Sequence, residues 1–207
     1  MKYWLKTNGA IEIASVAVAL SILVCLWGNV EVNLPTMVGG IRFTPRLLSE
    51  LLSWVLPSFV AFNRSKLNFP LAAHTRRLSR WFSLTFFPLS TLGISQIFLL
   101  SGNSNDLTST FTRDALIFGS CSEIANRISA VSSPLIAPAI YTFFELFTLG
   151  GFSSEISKVL PPSHTQDQIF WGYALYVVVT LLTRGPALAL ATRLPSRSST
   201  ITSSSTM

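Results

Sequence analysis

Between Asn63 and Trp81 the chain carries Arg64, Lys66, Arg76, Arg77 and Arg80, together with His74 and no acidic residue; long apolar stretches lie on either side. Positive residues beside membrane-spanning helices favour the cytoplasmic face. This basic loop therefore fixes an orientation, and alternation of spans fixes the rest. The pattern predicts an all-α chain that threads a bilayer.

Composition points the same way. Of 207 residues, 49% are hydrophobic and 12% charged, with fifteen Phe and five Trp; the charged share is about half that of an average globular domain. The formal charge of +6 is concentrated beside the apolar runs, which argues against a nucleic-acid partner. Cys25 and Cys121 both fall in apolar stretches, as packed free thiols do.

Lys2 and Lys6 precede an apolar run from Ile11 to Trp27 with no Ala-x-Ala site after it, so the first span is expected to stay uncleaved. Residues 28–46, with Pro35 and Gly39-Gly40, read as an outer connection. A second span runs from Leu47 to Phe62, and a third from Trp81 to Leu100. Ser101 to Asp114 is polar and reads as an outer loop. The stretch from Ala115 to Phe152 is too long for one span; it divides into helices at 115–131 and 134–150 around a turn before Pro134, or into one span and a re-entrant segment. A further outer loop covers 150–168, and the last span covers 169–191.

The expected fold is thus a polytopic transmembrane helical bundle of six spans within residues 1–194, followed by a disordered cytoplasmic tail at 195–207. Both termini are expected to be cytoplasmic in a bacterial inner or plasma membrane. Arg42, Arg46, Arg113 and Lys158 are assigned to the outside.

Five charges fall within predicted spans: Glu50, Glu123, Arg127, Glu145 and Arg184. A lone charge in hydrocarbon is costly, so these form a candidate intramembrane network. Glu123 and Arg127 have the i,i+4 spacing of an intrahelical pair; they serve either to hide two charges or to line a transport path. Arg184 is within reach of Glu145 on the neighbouring span, or else snorkels inward. Arg64, Lys66, Arg76, Arg77 and Arg80 form a candidate partner-facing surface.

No catalytic set emerges. Glu123-x-x-x-Arg127 matches part of the Glu-Glu-x-x-x-Arg signature of CAAX-type membrane proteases, but position 122 is Ser and the family's histidine motifs are absent. His74 and His164 lie in loops, which leaves no span-held metal site. No enzymatic activity, metal or cofactor is expected.

There is no phosphate-binding Gly-x-x-x-x-Gly-Lys-Ser/Thr loop. Three stretches carry a family resemblance: Phe111 to Gly119, Pro134 to Gly150 with Tyr141, and Trp171 through Arg184-Gly185-Pro186. In this C-terminal half the chain resembles actinobacterial multi-pass membrane proteins associated with ABC transport ATPases. The resemblance implies a permease-like component energised by a separate ATP-binding subunit, paired with another copy or a partner permease and surrounded by lipid. The alternative is a small membrane immunity or accessory protein that binds a membrane-active peptide or stabilises another complex.

Overall fold

The computed structural model of the chain describes residues 10–65, 73–100, 105–129, 131–160 and 165–184. The first helix, α1 (Ala10–Trp27), follows the first apolar run and carries Glu12 in its first turn, where an acid complements the helix dipole. Next comes a hairpin of β1 (Glu31–Thr36) and β2 (Arg42–Leu47), antiparallel with Glu31 opposite Leu47 and Thr36 opposite Arg42. Its tip turns through Gly39 at φ 70° and Gly40 at φ 110°, a conformation that strains residues bearing a Cβ. A sheet of only two strands also tolerates Pro35 and Pro45, since each strand has a free edge.

The predicted second span is broken into α2 (Leu48–Leu52) and α3 (Val55–Ser65). At the break, both the backbone N–H and the hydroxyl of Ser53 donate to the Glu50 carbonyl, at 3.1 and 2.7 Å. Pro57 sits in the first turn of α3, where no helical N–H is needed. Then follow α4 (Ala73–Leu100), α5 (Asn105–Ile128), α6 (Ser133–Phe147), α7 (Gly151–Val159) and α8 (Thr165–Arg184).

Helix α5 is the centre. Every residue from Phe111 to Ser120 is buried, and α5 packs most extensively against α8 while also touching α3, α4 and α6. Its two sides feed two apolar clusters. Phe111 and Leu116 join Ile13 and Leu20 of α1, Leu56 and Val60 of α3, Phe87 and Ile94 of α4, and Tyr176 of α8. Ile117 and Phe118 join Ala137, Tyr141 and Phe152. The Phe118 and Phe152 rings stack at 4.2 Å, a contact worth about 1 kcal/mol beyond burial.

Several expectations are corrected here. Among the described residues only α1 is long and apolar enough to cross a membrane, or two units if α6 and α7 count as one span bent by 91°. The six-span transmembrane bundle is therefore overturned, and with it the multi-pass placement in a bacterial inner or plasma membrane. The physical reasons are local. Helix α2 has five residues and α3 eleven, both far short of the roughly 20 that a span needs. Helix α5 is long enough but carries Asp106, Arg113, Asp114, Glu123 and Arg127. The observed body is a helical bundle with a small antiparallel hairpin and a buried polar network.

Boundaries moved as well. The outer loop expected at 101–114 belongs largely to α5, the connection at 28–46 is the hairpin, and the loop at 150–168 contains α7. The division of 115–152 into two helices holds, with the break between Ile128 and Ser133. The tail at 195–207 lies outside the described residues, as do both termini.

Candidate functional site

The site is built from two ion pairs, with the Glu50 carboxylate within electrostatic range of both. The first pair is on α5. Arg113 Nε donates to Asp114 Oδ1 at 2.8 Å, and Arg113 Nη2 lies 2.8 Å from the same oxygen. Arg113 Nη1 donates to Gln168 Oε1 on α8 at 2.9 Å, and Nη2 to the Ser153 carbonyl on α7 at 3.0 Å. The Ser153 hydroxyl donates to the other Asp114 oxygen. Both residues of the pair are 1% exposed. Gly172 of α8 lies against this part of α5: a Cβ on it would be in ordinary contact with the Arg113 Cα, at 3.4 Å. One planar guanidinium thus holds three helices together through donors fixed in direction.

The second pair joins the hairpin to α6. Arg46 Nε donates to Glu145 Oε2 at 2.7 Å, and Nη2 to the Leu149 carbonyl at 2.9 Å. The Phe152 N–H donates to Glu145 Oε1 at 3.4 Å. Two further bonds fasten the hairpin to α6: Met37 N–H and the Thr36 hydroxyl both donate to the Leu146 carbonyl, at 2.8 and 3.3 Å. Gly151 sits against the pair at φ 66°; a Cβ there would collide with Glu145 Oε1 and lie 2.8 Å from Arg46 Nε.

Glu50 lies within electrostatic range of both pairs. Burial raises its carboxyl above the ordinary value of 4.5; the Asp114 and Glu145 charges add to the rise, while Arg46 and Arg113 oppose it. Burial likewise raises Asp114 above 3.8, against the pull of Arg113 and the Ser153 hydroxyl. Tyr141 hangs over the same region. Its phenol is pushed up, first by burial and then by the Glu145 and Glu50 charges.

Of the five charges expected to form a network, Glu50 feels the Glu145 charge but forms no hydrogen bond or ion pair with it. Glu145 pairs with Arg46 rather than with Arg184, which ends α8 and whose side chain lies outside the described residues. Glu123 is buried toward the C-terminal end of α5, and Arg127 is exposed one turn further on. Of the basic surface, Arg64 falls in α3 and Arg76, Arg77 and Arg80 in α4; their side chains and Lys66 are outside the described residues. His164 is outside them too, and among the described residues no three His, Cys, Asp or Glu side chains gather as a metal site. Cys25 and Cys121 are free and half-buried.

The sequence reading missed Arg46, Arg113 and Asp114, all assigned to outer segments. Arg113-Asp114 did carry a signal: opposite charges adjoining Phe111 and the run Ala115-Leu116-Ile117-Phe118. The pairing of Arg46 with Glu145, 99 residues away in the chain, carried none.

Comparison with protein-family models, curated proteins and solved structures gives no match. The resemblance to multi-pass proteins of ABC transporters is overturned by the fold itself, which has one helix of span length and composition among the described residues. The permease-like function falls with it, as does the membrane immunity or accessory alternative, because both presuppose a polytopic body.

Proposed function

We propose that the protein is a non-catalytic binding protein whose exposed apolar side chains dock on a lipid surface, with its ion pairs acting as internal braces. One observation carries this reading: large apolar side chains stand exposed on several helices, while charged residues are buried beside the apolar core. Val18 is 58% exposed, Leu89 65%, Phe143 56% and Phe170 64%, while Arg113 and Asp114 are 1% exposed. Apolar patches much larger than a few hundred Å² mark interaction sites, and here exposed apolar residues recur on α1, α4, α6 and α8.

A non-catalytic role is supported by how the charged groups are engaged. Arg113 and Arg46 each bond to a carboxylate and to a backbone carbonyl, an arrangement that joins elements. Docking of this kind requires neither a polytopic body nor transport.

Flotation of the full chain with neutral phosphatidylcholine vesicles tests the reading. Co-flotation that survives high salt is expected, since the contact is apolar. A chain that stays in the dense fraction as a monodisperse monomer contradicts it, and a defined oligomer in that fraction shows instead that copies of the chain cover one another.

A further inference from the structure

The outward face of the β1–β2 hairpin is polar at its base and apolar at its tip. Residues directly opposite each other share a face, and the register sets Asn33 opposite Pro45 and Pro35 opposite Phe43; carried into the turn, it sets Met37 opposite Ile41. Along β1, Glu31, Asn33 and Pro35 are exposed, whereas Val32, Leu34 and Thr36 between them are half-buried or buried. Nearest the turn, Met37, Ile41 and Phe43 are all exposed, Ile41 to 78%. The apolar surface continues onto α6, where the Met37 N–H donates to the Leu146 carbonyl next to exposed Phe147. From Val32 to Ser49 the chain holds no acid and two arginines. Arg46 is paired with Glu145; Arg42 is exposed and has no carboxylate partner among the described residues.

We propose that this tip anchors the chain in the headgroup layer of an anionic phospholipid surface, with Met37, Ile41 and Phe43 entering the boundary below the headgroups and Arg42 bonding to their phosphate oxygens. Such an anchor presupposes the docking on lipid proposed above and gives it an element and a headgroup charge. The competing occupant of an exposed hairpin is an added protein strand, and the edges argue against one. The Leu48 N–H donates to the Val30 carbonyl at 3.0 Å, so by alternation the backbone groups of residues 31, 33, 35 and 43, 45, 47 point away from the partner strand. Pro35 and Pro45 fall at those positions, and each removes a donor that an added strand would use. Lipid makes no such demand. Apolar side chains enter it by burial, and a cation beside them gains from a negative membrane surface.

The test is binding of the full chain to vesicles of phosphatidylcholine and of equimolar phosphatidylcholine and phosphatidylserine at low ionic strength. Phosphatidylserine is expected to tighten binding, and Arg42→Gln to give up about fivefold of that gain, the worth of one cation at the surface. Ile41→Asp is expected to weaken binding to the neutral vesicles about tenfold or more. Asn33→Asp, which puts the same charge at the polar base of the same face, should change it less than about twofold. Both positions are exposed, so the urea midpoints should stay with that of the parent. A fluorophore on Ile41→Cys, with Cys25 and Cys121 replaced, is expected to be quenched by brominated acyl chains well beyond one on Asn33→Cys. Unchanged binding in Ile41→Asp, an undiminished phosphatidylserine gain in Arg42→Gln, or equal quenching of the two labels would overturn the anchor while leaving lipid docking in place. A parent that binds neither vesicle would overturn both. A parent dimer that Ile41→Asp dissociates would show that the tip covers a second copy, and would overturn the anchor too.

Discussion

Arg113–Asp114 and Arg46–Glu145 use the same two functional groups, yet they do different work. The first pair is formed by neighbours on one helix, so its formation closes no loop; its value lies in the spare donors that reach Ser153 and Gln168. The second pair joins residues 99 apart and fastens the hairpin to α6. The first is 2% and 1% exposed at its side chains, the second 12% and 6%. Desolvation makes a broken pair expensive in proportion to how deep it lies. The comparison teaches that depth, rather than sequence separation, sets the cost of losing a partner.

Arg113→Met sharpens the contrast most. It strands the Asp114 carboxylate and leaves the Ser153 carbonyl and Gln168 without their donor, so a loss of about 3–5 kcal/mol is expected in denaturant unfolding. Glu145→Gln keeps the shape but removes the charge facing Arg46, which retains some contact with solvent. Its expected loss is smaller, about 2–3 kcal/mol, with hydrogen exchange rising first in the hairpin amides. Equal losses in the two variants, or a larger one for Glu145→Gln, would break the ordering by depth.

The smallest effect concerns Glu50, which lies under the influence of both pairs. Its folded-state carboxyl is raised above its ordinary value, as is that of Asp114. A group raised in this way adds stability that is fully present below its unfolded value and is lost as pH rises through its folded value. Stability should therefore decline from about pH 4.5 upward on account of Glu50. Glu50→Gln cannot ionise, so it should gain on the parent over that rise. Urea midpoints of the two proteins measured from about pH 4 to 8 check this; a constant difference between them contradicts it.

These charges also show what was legible in the sequence. The helix at Ala10–Trp27 and the break before Ser133 could be read from an apolar run and from polar residues ahead of Pro134. Glu50 and Glu145 stood out as acids among apolar neighbours. Residues 105–114 did not read as helix, because Ser, Thr, Asp and Arg together resemble a loop. In the fold Thr112, Arg113 and Asp114 find partners inside the bundle: Thr112 donates to the Thr108 carbonyl at 2.8 Å and also pairs with the Ser95 hydroxyl. Local composition cannot reveal partners supplied by distant helices. The same limit turned a bundle with a buried polar network beside its apolar core into a six-span expectation: apolar residues were legible, but which faces they occupied was not.

The central claim is that the apolar exterior meets lipid while the ionic interior does not. Spin labels placed singly at Val18, Leu89 and Val178, on a background with Cys25 and Cys121 replaced, test it in phosphatidylcholine vesicles. The account predicts that all three labels collide readily with oxygen, which concentrates in acyl chains, and rarely with a water-soluble nickel chelate. Strong chelate collisions at all three positions would contradict it.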